Sequence, residues 1–130
     1  MQTFLLDTNA AIAYLNGKDD AFRRMFAEFE SVRLPVIVLG ELYFGAKKSS
    51  RVEENVRKIN QLASLFPVVP CDQQTALIYA TVRDGLRKKG YPIPEADMWI
   101  AAIAMQYGYF LITRDAHLHE QIDGLRTRSW

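Results

Sequence analysis

The stretch Phe4-Leu5-Leu6-Asp7-Thr8-Asn9 decides how the rest of the chain is read. The apolar run Thr3 to Leu6 suits a short buried strand, and Asp7-Thr8-Asn9 switches at once to residue types that open helices. Ile12 and Leu15 give the following helix an inward face, and Asn16-Gly17 stops it.

The same alternation continues outward from that segment. Asp19 or Asp20 caps a second helix whose stripe is Phe22, Met25, Phe26 and Phe29. Pro35 to Leu39, with the β-branched run Val36-Ile37-Val38, predicts an interior strand, and Gly40-Glu41 leads into a helix reaching Lys47. Ser49 or Ser50 caps the next helix, with Val56, Ile59, Leu62, Ala63 and Phe66 inward. Val68-Val69 is a third strand closed by Pro70, and Asp72 caps a long helix that ends at Lys88-Lys89-Gly90. Pro94 starts a helix that is apolar from Met98 to Met105, so it is buried on most sides. Phe110 to Ile112 is a fourth strand, Thr113-Arg114-Asp115 opens a short helix, and Arg126 to Arg128 suits a last edge strand. Strands alternating with helices predict an α/β fold: three α/β/α layers, a short central parallel sheet of four to five strands, and right-handed crossovers. No repeat, low-complexity tract or linker divides the chain, so residues 1–130 read as a single domain.

Composition removes several function classes. With 49% hydrophobic and 24% charged residues, the chain is no disordered segment. Sixteen Lys and Arg against fifteen Asp and Glu leave +1, which argues neither for nor against a polyanionic partner. The single cysteine, Cys71, excludes an intramolecular disulfide framework and reads as a small buried hydrophobe. With only His117 and His119 beside it, a structural zinc site is not expected. No segment approaches the ~18 apolar residues of a membrane span, and Asp7 interrupts the apolar start, so a cytoplasmic protein is expected.

Four acids stand out by position. Asp7, Glu41 and Asp115 each follow an expected strand, and ligands in open α/β sheets bind beyond the carboxyl ends of the strands. Asp97 lies in the first turn of the most apolar helix and can reach the same rim. Each has an ordinary explanation as a cap, a dipole partner or a surface residue. Four such explanations falling at one rim suggest a site. Carboxylates a few ångströms apart need protons or a cation between them, and an all-oxygen set suits Mg²⁺ or Mn²⁺. Such an ion polarises a phosphodiester, activates a water and stabilises the leaving oxygen. Thr8, Asn9 and Thr113 flank the acids and are placed to support them.

In order and spacing, Phe4 to Asn9, Gly40-Glu41-Leu42 with Gly45, Pro94 to Ala102 and Thr113-Arg114-Asp115 resemble a PIN-domain ribonuclease, more narrowly a VapC-like toxin of a toxin–antitoxin pair. The resemblance spans nearly the whole chain. It implies a PIN-like fold and a metal-dependent endoribonuclease that hydrolyses RNA with a metal-activated water. Asp7, Glu41, Asp97 and Asp115 match the family's acidic quartet. Asp7 and Asp97 correspond to its metal-binding pair, and Glu41 and Asp115 complete the pocket and orient the water or a second metal. Thr113 matches a frequent hydroxyl beside the last acid. Ala96 departs from the Asn that toxins often carry before the third acid, and Glu95 could add a carboxylate at the rim. The resemblance also implies a homodimer, a VapB-like antitoxin, and DNA contact only through that antitoxin.

RNA binding needs positive charge near the acids. Lys47, Lys48 and Arg51, after the Glu41 helix, and Arg114, beside Asp115, are the candidates. Tyr14, Tyr43, Phe44 and Trp99 could stack a base, although core or dimer packing also explains them. The alternative class is a catalytically silent PIN-like module that binds RNA or protein. Other phosphotransfer folds fit worse. A haloacid-dehalogenase-like enzyme needs an Asp where Asn9 stands, and a receiver domain needs a late lysine, whereas no lysine follows Lys89.

Overall fold

The computed structural model describes residues 2–130. Five short strands are connected by helices in the order β1 (Phe4–Leu6), α1 (Thr8–Asn16), α2 (Asp20–Phe26), β2 (Val32–Pro35), α3 (Val36–Lys48), α4 (Val52–Leu65), β3 (Val68–Val69), α5 (Gln73–Lys89), α6 (Glu95–Tyr107), β4 (Phe110–Ile112), α7 (Leu118–Gln121) and β5 (Thr127–Arg128). The strands form one parallel sheet in the order β3-β2-β1-β4-β5. β1 is central. Phe4 pairs with Val32 on one side and Phe110 on the other, and Leu6 pairs with Ile112. Successive β1 side chains point to opposite faces, yet Phe4, Leu5 and Leu6 are all buried, so both faces of the sheet are covered.

This order places the site. The chain steps from β1 to β2 to β3 on one side, then returns to β4 on the other side of β1. The strand order therefore reverses between β1 and β4, where open α/β sheets form a crevice at their carboxyl ends. Asp7 and Thr113 are the first residues beyond those two strands. The Asp7 N–H donates to the Ile112 carbonyl at 3.2 Å, which ties the two strand ends together.

Helix α6 is the packed centre of the molecule. Ile100, Ala101, Ala102, Ile103 and Ala104 have no exposed surface, as the unbroken apolar run predicts. Its small residues allow close approach, and α5 and α3 pack on it. Removing the Ile103 side chain to Ala should cost about 2–5 kcal/mol by leaving a cavity in that core.

The expected strand at Pro35 to Leu39 is not one. β2 lies earlier, over Val32–Pro35, and Val36 opens α3. Pro35 is the boundary residue, at φ −65° and ψ 141°. The three β-branched residues sit in the first turn of a helix whose buried positions are Val38, Leu42 and Ala46, a four-residue repeat that overrides β propensity. Two start signals also moved. Arg51, not Ser49 or Ser50, precedes α4, while the Ser49 hydroxyl donates to the Ala46 carbonyl at 2.7 Å and so closes α3. After Asp115 the chain makes a turn first, and α7 begins only at Leu118. The remaining caps and stops agree with expectation, including the reciprocal Asp72–Thr75 capping box of α5.

Candidate active site

Asp7 leaves β1 and caps α1, its Oδ1 accepting from the Ala10 N–H at 2.7 Å. The side chain is largely buried, and that burial raises its pKa from 3.8 to about 6. The bonds from Ala10, Thr113 and Asn9 pull the other way, and the charge of Asp97 adds to the rise. Burial wins because three hydrogen bonds do not replace the water the carboxylate has lost. Asp97 sits in the first turn of α6, held by its N–H to the Pro94 carbonyl at 3.0 Å. Its pKa is also raised, first by burial and then by the charge of Glu41.

Thr113 follows β4 and is buried at 4% exposure. Its hydroxyl helps hold Asp7 in the charged form and accepts from the Asp115 N–H at 3.2 Å. One small side chain thus couples an inner acid to an outer one. Asp115 itself is exposed, and its Oδ1 accepts from the His117 N–H at 2.9 Å, which shapes the loop after β4. Asp7, Thr8, Asn9, Asp97, Thr113 and Asp115 line one cleft of about 400 Å³, floored by Ile100, Leu111 and Leu118.

Glu41 lines a different hollow. It borders a groove of about 280 Å³ between α1, α3 and α4, and Thr8 lies on the wall between groove and cleft. The Thr8 hydroxyl donates to Glu41 Oε1, which brings this acid to the edge of the others. The site is thus a half-buried pair, Asp7 and Asp97, with Glu41 and Asp115 at its margins. Among the described residues, no three His, Cys, Asp or Glu side chains form a closed metal cage. The donor chemistry still fits a hard divalent ion, which keeps several waters and takes only one or two protein carboxylates. Neither Asp7 nor Asp97 forms an ion pair among the described residues, so no cationic side chain offsets their charge.

The basic and aromatic candidates fare differently. Lys47, Lys48 and Arg51 line neither the cleft nor the Glu41 groove. Lys48 lies over the Phe44 ring at 4.5 Å, and Arg51 reaches Glu54 at 3.5 Å. Arg114 does border the cleft, but its guanidinium donates to Asp19 Oδ2 at 3.1 Å and rests 5.1 Å from the centre of the Trp130 ring. Glu95 is outside the cleft, accepting from the Tyr79 hydroxyl at 2.6 Å and facing Arg83 at 3.4 Å. Tyr14 is core packing, between Phe26 and Phe66, and Trp99 stacks on Tyr79 at 3.9 Å. Sequence reasoning missed the clasp of Asp19 and Trp130 on Arg114. Asp19 showed only as a helix cap, and the final Trp130 carried no pattern at all.

An α/β/α domain with carboxylates at the switch point of a parallel sheet is the arrangement of a PIN domain, and the PIN-domain family model matches residues 4–124. The chain belongs to the PIN-domain family. Among curated relatives, the tRNA(fMet)-specific endonuclease VapC of Salmonella typhimurium is 32% identical over 132 residues, spanning 100% of this chain and 99% of that protein. The protein of the same name from Shigella flexneri is 30% identical over 131 residues, again spanning 100% and 99%. Among solved structures, the crystal structure of DNA-bound VapBC from Salmonella typhimurium matches with TM-score 0.89 and 31% identity, over 100% of this chain and 99% of that one. VapBC2 from Rickettsia felis, bound to a DNA fragment from its promoter, matches with TM-score 0.88 and 25% identity, over 99% of each chain.

Proposed function

We propose that this chain is a metal-dependent endoribonuclease and the toxin of a VapBC-type toxin–antitoxin pair. The observation that carries the reading is the pair Asp7 and Asp97, two desolvated carboxylates at the sheet's switch point with no cationic side chain paired to either. Full-length similarity to VapC nucleases supports it. Asp7 and Asp97 would hold Mg²⁺ or Mn²⁺. Such an ion would supply positive charge to offset the two acids and Lewis acidity toward phosphate and water.

The chain's own residues do the rest. The Ala10 N–H holds the Asp7 carboxylate, and the Thr8 hydroxyl holds that of Glu41. Glu41 and Asp115, at the two margins, accept hydrogen bonds from the attacking water and orient it in line with the scissile bond. The proposed hydrolysis is direct attack by water, with no covalent enzyme intermediate.

The solved VapBC complexes of related chains, both bound to DNA, support an antitoxin partner; that the toxin is a homodimer and meets DNA only through the antitoxin is part of the proposal. No helix among the described residues is long and apolar enough to cross a membrane; a cytoplasmic site of action is part of the proposal.

The deciding experiment incubates the purified chain with total RNA and Mg²⁺ or Mn²⁺ and maps new ends by sequencing. Discrete cuts that vanish with EDTA and in Asp97→Asn are expected. Wild-type cutting by Asp97→Asn would refute the assignment. RNA bound but never cut would identify the silent PIN-like module instead.

A further inference from the structure

The acids repel the polyanion that the reading above assigns to them, so the RNA strand must be gripped beside the cleft. Few cations border it. In the hollow beyond Ile93, Arg83 faces Glu95 at 3.4 Å and Arg87 faces Asp84 at 2.7 Å. In the Glu41 groove, Lys58 faces Glu54 at 3.7 Å. All three are paired with carboxylates and none lines the cleft itself, whereas Arg114 does.

The remaining side is different. A polar groove of about 430 Å³ opens off the cleft, sharing Asn9 and Arg114 with it, and is bordered at its far end by Lys18. Asn9, Ile12 and Asn16 lie along it at helical spacing on α1, all exposed. Gly17, at φ 64°, then turns the chain out of the helix and into Lys18. Lys18 is exposed and has no ion-pair partner among the described residues. At the junction, Arg114 is held by Asp19 and Trp130, and a guanidinium carries five N–H donors, more than that clasp consumes.

We infer that this groove holds the single-stranded RNA segment next to the scissile phosphate. Lys18 meets a backbone phosphate, and the Asn9 and Asn16 amides meet base edges or sugar hydroxyls. Arg114 is a pre-oriented phosphate grip at the junction, and Asp19 and Trp130 are its positioning residues. The inference rests on the nuclease reading. It replaces Lys47, Lys48 and Arg51 as the basic contacts, because none of them borders the cleft or the hollows beside it.

The test reads binding separately from turnover. A fluorescein-labelled tRNA pool is titrated with Asp97→Asn protein in Mg²⁺, with anisotropy as readout. Adding Lys18→Ala should raise Kd about 3–10-fold near 50 mM salt and flatten the log–log salt dependence by about one. Lys18→Arg should restore both, and thermal melting should not change, since Lys18 is exposed in a turn. An unchanged Kd and slope would overturn the groove, as would a rise confined to Lys47→Ala or Arg51→Ala. A Lys18→Ala defect seen only in capture of a protein antitoxin would make the groove a protein interface and overturn the RNA assignment. The two readings fail separately. Cutting with wild-type KM in otherwise native Lys18→Ala sinks the groove and leaves the nuclease. Lost tRNA affinity in a chain that never cuts sinks the nuclease and leaves the groove.

Discussion

The inner acids and the outer acids of this site are built on opposite principles. Asp7 and Asp97 are carried by β1 and α6, whose Leu5, Leu6, Ile100 and Ile103 have no exposed surface. Their backbones cannot shift without opening the core. Glu41 and Asp115 are exposed, one on the outer side of α3 and one on the loop after β4. The inner pair loses solvation, and both pKa values rise. The fold therefore holds its desolvated charges on rigid elements, where the proposed cation would sit, and leaves the two outer acids free to adjust.

The largest effect should come from neutralising the inner pair. Asp7→Asn and Asp97→Asn should each lower RNA cleavage by on the order of 10²–10³-fold or more, since each removes charge that binds the ion. Asp7→Asn should also stabilise the metal-free protein at pH 7 by about 1–3 kcal/mol, because Asn still accepts from the Ala10 N–H while the buried charge is gone. Denaturant unfolding measures this directly. A loss of stability would mean that the Asp7 charge supports the fold, and the contrast between inner and outer acids would break.

Glu41→Gln and Asp115→Asn should cost less, about 10–100-fold in cleavage, as for groups that orient rather than bind. Their stability should stay within about 0.5 kcal/mol of wild type, because both side chains are exposed. If either variant lost metal affinity as completely as Asp97→Asn, the margin would have to be counted as part of the inner set.

The metal-free protein should also report the inner acids through pH. Asp7 titrates at about 6 in the fold against 3.8 in its ordinary state, so the folded chain binds the extra proton between those values. Stability is then fullest below about pH 4 as far as this group goes. It falls by at most about 3 kcal/mol as pH rises through 6. Metal affinity runs the other way and strengthens through the same window, because the ligand must be deprotonated. Asp7→Asn should flatten the stability curve. A wild-type curve that rises between pH 4 and 6, after subtraction of that variant, would contradict the burial of Asp7.

The contrast also explains what could be read from the sequence. Asp7, Asp97 and Asp115 were legible because each follows or opens an element whose hydrophobic pattern is plain, and Thr113 came with them. The sequence pattern puts Glu41 just after a strand, whereas it is the sixth residue of α3 and reaches the site through Thr8. The real strand was hidden because Arg33 interrupts Val32 and Leu34, leaving too short an alternation to outweigh Val36-Ile37-Val38. The basic residues were not legible. Which cation is free and which is paired depends on neighbours such as Glu54, Asp84 and Glu95, and pattern along the chain does not give those orientations.

The smallest effect tests whether the outer margin is held at a distance. Trp130 Nε1 donates to Asp19 Oδ2 at 2.9 Å, and the same oxygen takes Arg114, the neighbour of Asp115. Trp130→Phe keeps a ring against Phe22 and Arg114 but removes the donor. The Asp19 carboxyl is held below its usual range first by the Phe22 N–H and then by Trp130, so it should titrate nearer normal in the variant. A depressed folded pKa stabilises above the unfolded value and is lost as pH falls through the folded one, so Trp130→Phe should soften the loss of stability on the acid side. Cleavage should weaken only a few-fold, through a lower kcat and a higher KM, with faster hydrogen exchange at the His117 N–H that Asp115 accepts. Asp7 and Asp97 do not depend on this clasp, so metal affinity should be unchanged. Were metal affinity to fall with Trp130→Phe, the inner pair would be as adjustable as the outer one, and the division between them would not hold.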